Sequence, residues 1–164
     1  MRHLAIAAAM LLLATLAVAQ EGGRAQEAPR KPYSETLNAM RQIDDAVALA
    51  AQTNRYVLCQ VGGNWCPWCL KFAHFADTNA QVRQLIDTNF VYVHVNYSRG
   101  NKNPDAMRRL GNPGRFGYPV FVVLNKQGDV VHIQNSAYLE EGKTYSVRKV
   151  VECLYNWSPT VVEP

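Results

Sequence analysis

The feature that most constrains this chain is a pair of cysteines, Cys66 and Cys69, set between an apolar run and a proline-led helix. Residues 56–61 are Val-, Leu- and Tyr-rich and read as a buried strand, which Gly62, Gly63 and Asn64 bring to an end. Pro67 directly follows Cys66 and suits the first turn of a helix. That helix is predicted to carry Cys69 and to run to about residue 76. One sulfur therefore stands at the start of a helix and the other lies one turn further in, close enough to be bonded to it.

The rest of the chain supplies the frame for this unit. Ser34 or Thr36 is expected to cap a helix reaching residue 53, since Leu37, Met40, Ile43, Val47 and Ala50 recur at spacings of three and four. A further helix is predicted over residues 80–88, with Val82, Leu85 and Ile86 inward, followed by a buried strand at 90–95. Residues 97–117 form a long connection with a short helix at 104–110. A β-branched strand at 120–124, a turn at 125–129 with Gly128 at positive φ, and a strand at 130–134 make a hairpin. The last helix starts at Thr144 or Ser146, turns Val147, Val150, Val151 and Leu154 inward, and is stopped near residue 157 by Pro159. Strands separated by helices are expected to pair in parallel, and the hairpin adds an antiparallel edge. The fold class that follows is α/β: a central mixed sheet of four or more strands with helices on both faces.

The start of the chain reads differently. Met1, Arg2 and His3 precede an apolar run from Leu4 to Leu16, and small residues Ala17 and Ala19 stand where a signal peptidase reads. Residues 1–19 are therefore expected to be a secretory signal peptide, too short to cross a bilayer comfortably. Stable membrane insertion is not expected after cleavage. Residues 20–32 are rich in Gly, Glu, Gln and Pro, have little to bury, and read as a flexible linker before a single domain at 33–164. The expected location is periplasmic or secreted. The 17 basic and 13 acidic residues give a net charge of +4, with no dense basic run, so a nucleic-acid partner is not expected. Arg99, Lys102, Arg108, Arg109 and Arg115 against the lone Asp105 make the 97–117 connection either a solvated basic loop or a contact surface for an acidic partner.

Trp65-Cys66-Pro67-Trp68-Cys69 after a buried strand, and Gly117-Tyr118-Pro119 before the next-to-last strand, resemble the thioredoxin superfamily. With the element order between them, the resemblance covers about residues 33–157 and looks closest to small exported bacterial thioredoxin-like proteins. It implies thiol–disulfide exchange with protein clients through Cys66 and Cys69, a cis peptide before Pro119, and client main-chain contacts at Tyr118. In the reducing direction a membrane partner is expected to supply the electrons. No cofactor is called for.

The residues fit that chemistry on physical grounds. A thiol attacks a disulfide as its thiolate, and the unpaired N–H groups at a helix start favour negative charge at Cys66. Cys66 is thus expected to attack and the more shielded Cys69 to resolve. Trp65 and Trp68 flank the pair as an apolar rim for clients, or Trp65 simply packs under the loop. Thioredoxins place a buried acid six residues before the first cysteine, and here Gln60 stands there, so the usual proton relay is in doubt. Lys71 reads as a solvated helix residue.

The resemblance implies that the last helix packs on the Gln60 face, which puts Cys59 and Cys153 on opposite sides of the sheet; they are expected to be buried, inert thiols, with a disulfide between them as the alternative. Leu70 after Cys69 excludes c-type haem attachment, and a zinc site at Cys66, Cys69 and His74 lacks a second cysteine pair. His74, His94 and His132 read as ordinary polar residues. Two function classes remain: a thiol–disulfide oxidoreductase, with reduction the expected direction and oxidation or isomerisation the alternatives, and a client-binding or chaperone-like adaptor without redox turnover.

Overall fold

The structure is a computed structural model that describes residues 31–163. The expected signal peptide and nearly all of the expected linker lie outside the described residues. The first helix, α1, spans Ala39–Thr53. It starts later than the sequence predicts, because the side chain of Asn38, and not Ser34 or Thr36, accepts the Arg41 N–H. Leu37 consequently lies before the helix and is 52 % exposed, outside the apolar stripe it was expected to head.

Strand β1 (Tyr56–Gly62) is buried along its whole length. It is followed by α2 (Pro67–Thr78), α3 (Ala80–Asn89) and β2 (Phe90–Asn96). A short α4 (Pro104–Arg109) and a 3-10 turn at Pro113–Phe116 lead to β3 (Val120–Leu124) and β4 (Val130–Asn135). A small hairpin of β5 (Glu140–Glu141) and β6 (Thr144–Tyr145), absent from the sequence prediction, precedes α5 (Val147–Asn156). Pro159 does more than end that helix. It opens a further turn, α6 (Pro159–Val162), as a first-turn proline does.

The four-stranded sheet has the order β2-β1-β3-β4. β1 and β2 are parallel, as expected of a helical crossover. β1 and β3 are antiparallel, against the expectation of parallel pairing for strands separated by a helix. The six residues of α4 rise only about 9 Å, too little to carry the chain back along a strand of about 23 Å. The connection therefore stays at the end where β2 finishes, and β3 starts there with Val120 opposite Val61. That places the start of β3 beside the end of β1, where the cysteines stand.

Alternation along β1 divides the core. Val57, Cys59 and Val61 pack with Ile43, Ala46 and Ala50 of α1 and Met107 of α4. Leu58 faces the other way, into a cluster with Phe72 of α2, Val82 and Ile86 of α3, Phe121 of β3, and Val150 and Leu154 of α5. Helices thus cover both faces. Val147, expected inward, is exposed at the first position of α5. Gly128 has the anticipated positive φ, 87°, in the β3–β4 turn.

Candidate active site

Cys66 is the N-cap of α2, with extended backbone, and Pro67 holds the first helical position. Cys69 lies one turn in. Their Cα atoms are 5.2 Å apart and their sulfurs are bonded. Cys66 Sγ accepts the Cys69 backbone N–H at 3.2 Å, one of the donors a helix start leaves free. The two sulfurs are not equivalent in access: Cys66 retains 4 % exposure and Cys69 none.

The residues expected around the pair converge on it. The Tyr118–Pro119 peptide is cis, and the Tyr118 carbonyl oxygen lies 3.5 Å from Cys66 Sγ. The Tyr118 ring stacks on Tyr97 at 5.0 Å and meets Trp65 edge-on at 5.6 Å. Burial, with Tyr97 beside it, pushes the Tyr118 phenol up to about 12, so it stays neutral. Trp65 does not pack under the loop. It is 54 % exposed, yet fixed by donation from its Nε1 to the Tyr97 carbonyl at 2.7 Å. A Cβ on Gly63 would stand 2.5 Å from that Nε1, so glycine is required for the indole to fold back there.

Trp68 is half-buried, edge-on to Tyr145 at 5.4 Å. Lys71 is not simply solvated: its ammonium lies 4.0 Å from the Trp68 ring centroid and donates to the Lys143 carbonyl at 2.6 Å. It thereby ties α2 to the β5–β6 hairpin, an element that carried no sequence signal.

Beneath the cysteines lies a polar network that the sequence did not suggest. Gln60 is fully buried on the α2 side of the sheet. Its Nε2 donates to the Tyr33 hydroxyl at 2.5 Å and to the Cys69 carbonyl at 2.8 Å, and its Oε1 accepts from the Tyr92 hydroxyl. Both amide hydrogens and the amide oxygen have partners, which is how a buried amide becomes tolerable. Tyr33 precedes every helix and strand, yet it is 2 % exposed and packs with Cys66 and Cys69. Asn64 holds it there. The Asn64 Oδ1 accepts the Tyr33 N–H at 3.2 Å, and its Nδ2 donates to the Tyr33 carbonyl at 2.7 Å. No local pattern could have announced Tyr33, because its partners are 27 and 31 residues away.

His94 adjoins this network, edge-on to Tyr33 at 5.2 Å and 4.6 Å from the Tyr92 ring. Its buried Nε2 has no hydrogen-bond partner, and burial lowers its pKa to about 4. His74 is exposed, and His132 stacks on Trp157 at 4.0 Å. Cys59 and Cys153 are unpaired and sit in different core clusters, as expected; burial pushes their thiols up to about 12 and about 11. Cys153 is only half-buried, and its sulfur lies 3.6 Å from Gln134 Oε1.

In the basic connection, Arg108 pairs with Asp105 and Arg109 with Asp44 of α1. Arg115 donates to the Gly111 and Asn112 carbonyls. Arg99 and Lys102 line an open hollow of about 480 Å³ beside Trp65 and Tyr97.

A mixed sheet of this order, a helix begun by a cysteine pair, and a cis-proline facing that pair define a thioredoxin-like architecture. The family model for thioredoxin-like proteins matches residues 38–126, and the chain belongs to that family. A disulphide isomerase from Xylella fastidiosa Temecula1 superposes with a TM-score of 0.69 at 25 % identity, over 79 % of this chain and 98 % of that one. A thioredoxin from Thermus thermophilus gives a TM-score of 0.45 at 26 % identity, over 56 % of this chain and 69 % of that one. A DsbH oxidoreductase gives 0.45 at 13 %, over 96 % of each chain. Among curated proteins, none matches.

Proposed function

We propose that this protein is an exported thiol–disulfide oxidoreductase that reduces disulfides in protein clients. The Cys66 thiolate bonds to one client sulfur, the client S–S bond breaks, and the other client sulfur leaves as a thiolate and takes up a proton. Cys69, as thiolate, then attacks Cys66 Sγ. The Cys66–client bond breaks, the client leaves as a dithiol, and the cysteine pair is left as its disulfide. Two electrons pass from the pair to the client.

The observation that carries this reading is the bonded Cys66–Cys69 pair at the start of α2, with the outer sulfur beside Tyr118 and Pro119. Of the two sulfurs only Cys66 retains any exposure, so in this reading a client meets Cys66 and not Cys69. In this reading an extended client pairs its main chain at Tyr118 beside Pro119, and the exposed Trp65, edge-on to Tyr118, offers it an apolar edge. The solved disulphide isomerase, matched along nearly its whole length, supports thiol–disulfide chemistry as the class.

The start of α2, with a backbone N–H on Cys66 Sγ, favours the attacking thiolate on which reduction of a client disulfide depends. Export rests on the signal-like residues 1–19, and a reductase outside the cytosol needs a membrane-borne electron donor.

The reduction potential in glutathione buffers tests this reading. A value below about −250 mV is expected of a reductase, whereas one above about −150 mV would make the protein an oxidant of clients. Cys66→Ser should lose turnover in an insulin-reduction assay. Full client binding and biological activity in that variant would instead establish an adaptor without redox turnover.

A further inference from the structure

The resolving step needs Cys69 as a thiolate, and Cys69 Sγ is buried where a negative charge is costly. Gln60, an amide, neither takes nor gives a proton. Its hydrogen bonds nevertheless fix what its neighbour can do. The Cys69 carbonyl can only accept, so the group facing it is the Gln60 amide nitrogen, and the Tyr92 hydroxyl is left to donate to the oxygen. The second amide hydrogen goes to the Tyr33 oxygen. Tyr33 is therefore an acceptor toward Gln60, and its own hydroxyl proton is free. Among the described residues no oxygen or nitrogen receives that proton.

The backbone opens a path from this hydroxyl to the inner sulfur. A Cβ on Gly62 would stand 2.4 Å from Cys69 Sγ and 3.1 Å from the Tyr33 hydroxyl oxygen. The space between the two groups exists because residue 62 has no side chain. Asn64 clamps the Tyr33 main chain from both sides, which fixes the ring in place ahead of the first helix. Three separate elements thus hold the Tyr33 hydroxyl, with its spare proton, beside Cys69: the turn after β1, the amide of β1 and the segment before α1.

We propose that in the reduced protein the Tyr33 hydroxyl donates a hydrogen bond to Cys69 Sγ and stabilises it as the thiolate that resolves the mixed disulfide. This assignment rests on the exchange chemistry proposed above. The Tyr33 proton stays on Tyr33 throughout. The Cys69 proton passes to water before the attack, and the electron pair on Cys69 Sγ forms the new bond to Cys66 as the client sulfur leaves. Burial raises the Tyr33 phenol far above its ordinary value, so it remains a donor at every working pH. The other titratable groups facing the pocket are Tyr92 and His94 of β2, Tyr145 of β6 and Asp77 of α2. Tyr92 and Tyr145 are raised by burial, and His94, lowered to about 4, is neutral at neutral and alkaline pH.

The test is stopped-flow reaction of the reduced protein with dithiodipyridine, followed by thiopyridone absorbance. Attack by Cys66 releases the first thiopyridone, and attack by Cys69 on the resulting mixed disulfide releases the second. Cys59 is fully buried, and a Cys153→Ala background in every protein compared keeps a third thiopyridone out of the two phases. In Tyr33→Phe the first phase is expected to be unchanged. The second should slow about tenfold near neutral pH, the loss of a hydrogen bond to a charged group. The difference should close as the pH rises past the Cys69 pKa of both proteins, since both then carry the thiolate.

A second phase that is unchanged, or slowed by the same factor at every pH, overturns the assignment and leaves Tyr33 a packing residue. Absence of the first phase in the unaltered protein overturns the exchange chemistry itself, and the role of Tyr33 with it. Should Tyr33→Phe fail to fold, Asn64→Ala releases the clamp while keeping Gln60 and both cysteines. The same pH-dependent slowing is expected there, and its absence overturns the proposal equally.

Discussion

Cys66 and Cys69 differ by one helical turn and by everything around them. Cys66 keeps a trace of exposure and lies by the Tyr118 carbonyl, whereas Cys69 is sealed between Gly62 at the end of β1 and Tyr33. Their single-serine variants should therefore fail differently. Cys66→Ser should leave no covalent client adduct, while Cys69→Ser should accumulate Cys66–client mixed disulfides, visible on a non-reducing gel and cleared by reductant. Gln60 is the structural counterpart of this pair. Gln60→Leu keeps about the same size but takes away the acceptor of the Tyr92 hydroxyl and the donor to the Tyr33 hydroxyl, both in the core. It should cost about 2–4 kcal/mol in urea unfolding, because each buried group left unpaired costs about 1–3 kcal/mol. Cys66, Cys69, Trp65, Tyr118 and Pro119 were legible from the motif. The Tyr33–Gln60–Tyr92 network was not, since its members come from a segment without secondary structure and from two strands.

Helix starts decide where α1 and α2 sit, and each is a local matter with a measurable consequence. Asn38 caps α1 by accepting the Arg41 N–H, so Asn38→Ala should lower stability by about 1 kcal/mol. Ser34→Ala and Thr36→Ala, the caps that sequence reading favours, should leave the unfolding midpoint where it is. Among the described residues the Ser34 and Thr36 side chains bond to each other, at an exposed site, and not to the start of α1. At α2 the decisive contact is Phe72, which lies 4.3 Å from the Phe121 ring and 4.9 Å from the Tyr145 ring. Phe72→Ala should cost about 3–5 kcal/mol, read from the same unfolding curve, because the rings around it belong to β3 and β6 and cannot collapse onto the gap. The identity of α2 and α3 was plain from apolar spacing and Pro67. The β5–β6 hairpin was not, because two-residue strands carry no periodicity.

Over the whole molecule, burial of His94 couples folding to pH. Unfolded, the imidazole takes a proton near its ordinary value of 6.5; folded, it resists down to about 4. The unfolded state therefore binds more protons between these values, and stability should fall as pH drops through that window. Roughly 2 kcal/mol should be lost between about pH 7 and pH 4, allowing for partial solvent contact. Urea midpoints across the window should show this fall, and His94→Phe, which keeps a ring against Tyr33 and Tyr92, should remove that part of it.

Strand, turn, helix and the cysteine spacing were determined by the sequence alone, because each depends on neighbours within a few residues. Apolar periodicity, Pro67 at a helix start and Gly128 in a turn are all short-range facts. The antiparallel placement of β3 beside β1 was decided only in three dimensions, by a connection whose one short helix does not run back along the sheet. The same holds for Tyr33, whose position depends on Gln60 and Asn64, and for Lys71, which reaches across to Lys143. Hydrogen bonds between groups about 30 or 70 residues apart leave no periodic trace in the chain. The sequence thus specified the two sulfurs, and the tertiary structure decided what surrounds the inner one.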